Sequence, residues 1–223
     1  MNRSCIRHVP VFVATYRTPE GFDDLVLVSD GEAVTEIYFA GSQVRRFQVS
    51  SSARPAGAPY QETPRTPRTP RENGTPRTPR ENGTPRTPRE VFRPVSAWLD
   101  RYFSGRDAGP LPAWRTPGLT PFQLRVQRAM LAIPRGETRT YGGIAAEIAR
   151  ERGLPRVSAQ AVGQAVGRNP LCILVPCHRV VGASGKLVGY GGGLANKAAL
   201  LRLEAWSGLT PHAEALRESP AAD

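Results

Sequence analysis

The sequence predicts an α+β protein: a small N-terminal α/β domain with a short antiparallel sheet, then a mainly helical C-terminal domain containing a helix-turn-helix. Three observations predict it. Residues 11–17 (VFVATYR), 24–29 (DLVLVS) and 33–39 (AVTEIYF) alternate apolar and polar positions, and turn residues such as Pro19, Gly21, Asp30 and Gly31 separate them. That is the pattern of a half-buried antiparallel meander. Beyond residue 93 the apolar positions recur at helical spacing instead, with starts and stops marked by capping residues. The length of 223 residues suits one large domain or two small ones, and the 39% hydrophobic fraction is enough to fill a core.

The meander occupies residues 1–60. From 61 to 90 the chain becomes repetitive: TPRTPRENG recurs with a nine-residue period, as in Thr66–Gly74 and Thr75–Gly83. Proline at every third position removes backbone donors, and no apolar residue is there to bury, so this segment reads as a disordered or polyproline-like insertion. Residues 91–118 return to the N-terminal domain as a helix and linker. Within them 94–105 (PVSAWLDRYFSG) place Val95, Trp98, Leu99, Tyr102 and Phe103 on one face, with Gly105 as a stop.

Residues 119–207 form the C-terminal unit, followed by a tail at 208–223. Thr120-Pro121-Phe122-Gln123 is a capping box with proline at the first helical position, so a helix is expected to about Ile133. A second fits 141–151, with Ile144, Ala145, Ile148 and Ala149 facing inward. Ser158 caps a third over 159–168, built from small residues, in which Gln160, Gln164 and Arg168 fall on one polar stripe. Two short helices joined by a tight turn fit a helix-turn-helix. An ordinary helical hairpin fits the pattern equally well, and the run of small residues favours close approach to something.

No apolar run reaches the roughly 18 residues of a membrane span, and the start MNRSCIRHVP lacks the apolar stretch of a signal peptide. Three cysteines are too few for a disulfide scaffold; a reducing, cytoplasmic setting is expected. The formal charge of +11 is uneven, because residues 121–206 hold twelve basic and four acidic side chains, a net of +8. That bias suits a polyanionic partner, although only Lys186 and Lys197 in the basic segment are not arginine, as an arginine-rich composition alone would produce.

The chemistry concentrates at Asn169-Pro170-LCILV-Pro176-Cys177-His178-Arg179-Val180-Val181. The apolar run 171–175 reads as a buried strand that delivers a cysteine beside a histidine. A thiolate is the reactive form of cysteine, and a neighbouring base or positive charge favours it. Neighbouring side chains on an extended segment point opposite ways, so Cys177 and His178 need a bend, which Pro176 makes available, or a bridging water. Taken alone, a Cys-His pair is more simply a core thiol with an incidental neighbour.

The wider pattern is more specific. Pro-Cys-His-Arg-Val-Val, with Arg-Asn-Pro before it and Gly189-Tyr190-Gly-Gly-Gly193-Leu194 after it, resembles the active-site signature of the O6-alkylguanine-DNA alkyltransferases. These proteins move an alkyl group from damaged guanine in double-stranded DNA onto their own cysteine. The similarity runs from Thr120 to Trp206 in the same order and more weakly over 11–105. It implies single-turnover transfer with no cofactor, after the lesion is flipped out of the duplex, by a monomer needing no protein partner and no membrane. O4-methylthymine is a further possible substrate.

The resemblance also implies roles. Cys177 is the acceptor, His178 removes its proton through a water, and Glu204, on an expected helix over 194–206, orients His178. Tyr141 donates to the guanine ring, Tyr190 walls the pocket, and the Gly191 N–H reaches the leaving oxygen. The carbonyls of Cys177 and Val180 accept from the exocyclic amine, and Asn169 links the recognition helix to the active-site strand. Arg179 braces the loop. Gln160, Gln164, Arg156 and Arg168 face DNA. Gln160 stands where the family carries an arginine that fills the gap left by the flipped base, a departure that leaves Arg156 just upstream as a substitute. Gln127, where relatives often carry tryptophan, reads as a surface change.

Two other readings compete: an alkyltransferase-like protein that binds lesions without transfer, disfavoured by the presence of Cys177, and a Cys-His hydrolase on an unrelated substrate. Cys5-x-x-His8 is half of a zinc pattern, but two further ligands are not evident, so no metal is expected. Cys172 reads as a core residue, facing away from Cys177.

Overall fold

The computed structural model describes residues 11–42 and 87–204. The three alternating runs form β1 (Phe12–Tyr16), β2 (Leu25–Ser29) and β3 (Val34–Phe39), an antiparallel meander in sequence order. Leu25, Leu27, Val34, Ile37 and Phe39 point into the core. The β2–β3 register slips between Val28 and Ser29, beside a turn in which the Asp30 carboxylate accepts from the Glu32 and Ala33 N–H groups at 3.0 Å.

α1 (Pro88–Phe103) lies across this sheet and buries Val91, Phe92, Val95, Trp98, Leu99, Tyr102 and Phe103. It begins at Pro88, not at Pro94 as expected. The last copy of the repeat, Thr87-Pro88-Arg89-Glu90, is itself a complete capping box, with Glu90 Oε2 accepting from the Thr87 N–H at 2.9 Å. Residues 88–90, read above as the end of the insertion, are therefore helical. Pro94 lies inside the helix on its exposed face. Residues 61–86 of the repeat, Cys5 and His8 lie outside the described residues.

α2 (Pro121–Leu131) has its expected capping box. β4 (Arg139–Thr140) leads directly into α3 (Tyr141–Glu151), and α4 (Ala159–Gly167) is capped by Ser158 as the spacing predicts. These three helices pack on one another. β5 (Val180–Val181) pairs in parallel with β4, and α5 (Leu194–Leu203) follows the glycine-rich segment, so Glu204 is its C-cap residue. Among the described residues, no helix is long and apolar enough to cross a membrane.

The strand expected over 171–175 is not one. Only Leu171 makes a bridge, to Ile37 of β3, through Ile37 N–H to the Pro170 carbonyl (2.8 Å) and Cys172 N–H to the Ile37 carbonyl (2.9 Å). The chain then turns, with Val175 N–H donating to the Leu171 carbonyl at 2.9 Å and Ile173 held at φ +70°. The run is apolar because it is buried on all sides, and burial alone does not distinguish a strand from a tight turn. A β-branched residue in the left-handed region is strained, and the buried Ile173 side chain and the β3 bridge hold it there.

Gln127 is also buried, at 4% exposure, rather than on the surface. Its Oε1 accepts from the Thr116 hydroxyl at 3.3 Å, while Nε2 has no hydrogen-bond partner among the described residues. A buried orphan donor costs on the order of 1–3 kcal/mol. Gln127→Met keeps the shape and removes the donor, and is expected to raise the unfolding free energy by about 1 kcal/mol, read as a higher urea midpoint at unchanged m-value.

Candidate active site

Pro176 ends the turn, and Cys177–Arg179 form one turn of 3-10 helix. This is the bend that Pro176 makes available. Both are buried, at 4% and 0% exposure. Asn169, just past α4, ties the turn together: its Nδ2 is within bonding distance of the Leu171 carbonyl (3.1 Å), the Val175 carbonyl (3.0 Å) and Cys177 Sγ (3.1 Å), and its Oδ1 accepts from Leu171 N–H. A donor aimed at sulfur favours the thiolate over the thiol.

Behind Cys177, His178 Nε2 lies 3.0 Å from Glu204 Oε1. Arg179 grips the same carboxylate with Nε (2.8 Å to Oε2) and Nη2 (2.7 Å to Oε1), while its Nη1 donates to the Ile133 carbonyl at 2.6 Å. Burial alone would raise the Glu204 carboxyl, but the bonds and charges of His178 and Arg179 outweigh it and hold the group well below the usual carboxylate range. Burial pushes His178 the other way, toward the neutral imidazole, against the pull of Glu204. An ionised Glu204 takes the Nε2–H, so Nδ1 carries the free lone pair. That nitrogen is buried and has no hydrogen-bond partner among the described residues.

A cleft opens over this relay, lined by Cys177, Asn169, Gly167, Tyr190, Gly191 and Gly192 together with Glu36 and Tyr38 of β3. Gly192 is required sterically: a Cβ there would lie 2.5 Å from the Phe39 ring and 2.8 Å from that of Tyr190. Cys172 lines the same cleft as Cys177, so it does not face away from it; the turn replaces the strand alternation that predicted so. Tyr141 is half-buried, its hydroxyl pushed up to about 12 by burial and by the nearby Cys177. It donates to the carbonyls of Val188 (3.1 Å) and Gly189 (3.2 Å). Gln160, Gln164, Arg168 and Arg156 are all exposed, the first three on or beside α4.

Two residues escaped the sequence reading. Lys197 is fully buried, donating to the carbonyls of Val180 (2.6 Å) and Val188 (3.1 Å), and burial lowers it to about 8. Its place on the apolar face of LANKAALL, with Leu200 and Leu201 one turn on, was the available signal. Tyr102 was read only as core; its hydroxyl donates to Glu204 Oε1 at 2.7 Å. Among the described residues, no group of three or more potential metal ligands occurs.

The lowered Glu204 carboxyl adds stability above the unfolded-state value near 4.5 and loses it as pH falls through and below that value. The stability gap between the protein and Glu204→Gln is therefore expected to be widest near neutrality and to narrow from about pH 5 downward, as measured by urea unfolding. A gap independent of pH would contradict the ionised carboxylate.

Residues 121–206 match the family described as 6-O-methylguanine DNA methyltransferase, DNA binding domain. A methylated-DNA–protein-cysteine methyltransferase of Mycobacterium bovis is 61% identical over 85 residues, 38% of this chain and about half (48%) of that protein. Its namesake in Mycobacterium leprae is 50% identical over 120 residues, 54% of this chain and 69% of that one. The crystal structure of Mycobacterium tuberculosis OGT in complex with DNA superposes with a TM-score of 0.60 at 33% identity, covering 93% of this chain and 99% of that one. With the signature, the fold and the length of the match in agreement, this chain belongs to the methylated-DNA–protein-cysteine methyltransferase family.

Proposed function

We propose that this protein repairs alkylated DNA by taking an alkyl group from O6-alkylguanine onto Cys177, once per chain. The observation that carries the reading is the buried series Asn169–Cys177–His178–Glu204 beneath a glycine-lined cleft. His178 Nδ1 accepts the thiol proton through a water, and Glu204 compensates the imidazolium. The thiolate attacks the alkyl carbon, the C–O bond breaks with its electron pair going to the guanine oxygen, and the proton held on His178 returns through water to give neutral guanine. The product is a thioether with no leaving group for water to displace, which makes the protein single-turnover.

The guanine must leave the duplex to reach a thiol this deep. The exposed stripe of α4, with Gln160, Gln164 and Arg168, and Arg156 before it, is the face proposed to meet DNA; the Mycobacterium tuberculosis relative has been solved in complex with DNA. Gln160 occupies the gap with less reach and no charge. Tyr141 is already bonded to the glycine-rich segment, so its proposed donation to the base exchanges one of those bonds. Val180 likewise shares its carbonyl with Lys197, and a carbonyl has a second lone pair to offer.

Incubation with an oligonucleotide bearing O6-methylguanine is expected to add one methyl (about 14 Da) that maps to Cys177 and saturates at one per chain. Binding without mass gain would reduce the protein to a lesion-binding one. Cys177→Ala is expected to abolish the gain and keep duplex binding. Gln160→Arg is expected to tighten binding or speed transfer; an unchanged rate and affinity would show that Gln160 is not the residue entering the stack.

A further inference from the structure

The proposed chemistry uses no residue of the N-terminal part of the chain, yet α1 sends one hydroxyl into the relay. Tyr102 is buried, at 2% exposure, and its Oη lies 2.7 Å from Glu204 Oε1 and 3.4 Å from His178 Nε2. The ring is fixed by stacking on Trp98 (5.4 Å, 11°), by the edge of Phe103 (5.4 Å, 83°) and by the Arg135 guanidinium 5.2 Å from its centre. Phenylalanine would fill that space as well, so the hydroxyl is what distinguishes this position. Burial and the facing Glu204 keep the phenol protonated, hence a donor.

Glu204 Oε1 thus accepts from three donors, Tyr102 Oη, His178 Nε2 and Arg179 Nη2, whereas a carboxylate oxygen offers two lone pairs. Each donor's share of the negative charge is reduced accordingly. We infer that Tyr102 is a positioning residue, which holds Glu204 Oε1 against His178 and limits the charge that this oxygen presents to the imidazole. The inference rests on the repair reading for its consequence, not for its geometry. The charged and titratable groups around His178 are Glu204 and Lys197 from the α5 side, Arg179 and Cys177 in its own turn, and Tyr102 from α1, with Arg135 behind that ring.

Removing the hydroxyl returns charge to the His178 bond and stabilises the imidazolium, so His178 should protonate at higher pH. In full-length protein, Tyr102→Phe is expected to speed methyl transfer by up to about threefold, as an imidazole about half a unit more basic takes the thiol proton, at a somewhat lower melting temperature and unchanged affinity for duplex. In a Cys177→Ser background, which uncouples the thiol, the His178 imidazole followed by NMR, as one of three histidines, is expected to titrate about half a pH unit higher with Tyr102→Phe. Equal or slower transfer, or an unmoved imidazole, would overturn the inference and leave Tyr102 as packing.

Should Tyr102→Phe misfold, 3-fluorotyrosine at position 102 serves instead. It keeps the ring and donates more strongly, so the imidazole should then titrate lower; no shift, or an upward one, would equally overturn the inference. The titration reads Tyr102 even if the wild-type chain takes no methyl, which separates failure of this inference from failure of the repair reading.

Discussion

A carboxylate taken out of water at the end of α5 is the constraint around which the lower half of the molecule is arranged. Burying an ionised group costs several kcal/mol unless its oxygens are fully bonded, and Glu204 meets that cost with Tyr102, His178 and both arms of Arg179. Tyr102 arrives from α1, and His178 and Arg179 from the active-site turn. Arg179 carries the tie onward to the Ile133 carbonyl at the end of α2. The carboxylate therefore joins α1, α2, α5 and the active-site turn, and it sets the imidazole in the one tautomer that leaves Nδ1 bare.

Above the carboxylate, the turn that carries Cys177 is held by groups that would be costly to lose. Asn169 closes it from one side, β3 pairs with it from another, and Ile173 accepts a strained backbone in consequence. The glycine-rich segment is secured separately. Asn196 bonds Asp23 and the Gly192 carbonyl, both at 2.8 Å, while Lys197 and Tyr141 bond the carbonyls at 188 and 189. The N-terminal sheet thus touches the site at two places, through Ile37 on the cysteine turn and through Asp23 and Phe39 on the glycines. The cleft is thus walled by backbone that side chains from several elements hold in place.

The outer surface follows a different logic. α4 buries Val162, Ala165 and Val166 and leaves its polar stripe exposed, so changes along that stripe alter partners without disturbing the core. This explains how Gln160 can depart from the family pattern without disturbing the core. The surplus of positive charge over 121–206 lies in the same part of the chain and draws a polyanion toward it by a long-range, salt-dependent attraction.

Local rules sufficed for much of this protein. Alternation located all three strands, although β2, in the middle of the sheet, is buried at four of its five residues. The capping box at Thr120 and the N-cap Ser158 located helix starts, because a helix must satisfy its first N–H groups from nearby side chains. The box at Thr87 was equally legible but hidden within a repeat whose prolines argued against any helix. The Pro-Cys-His-Arg signature and its glycines pointed to the family. What the sequence could not determine is every contact between distant stretches. The turn at 171–175 exists because β3 pairs with its first residue and Asn169 closes it, and a buried apolar run looks the same in either conformation. The burial of Gln127 and Lys197, the cleft position of Cys172, and the Tyr102 hydroxyl on Glu204 are likewise decided by what packs opposite. A side chain's own neighbours in sequence specify its face, but the partner on that face comes from the tertiary fold.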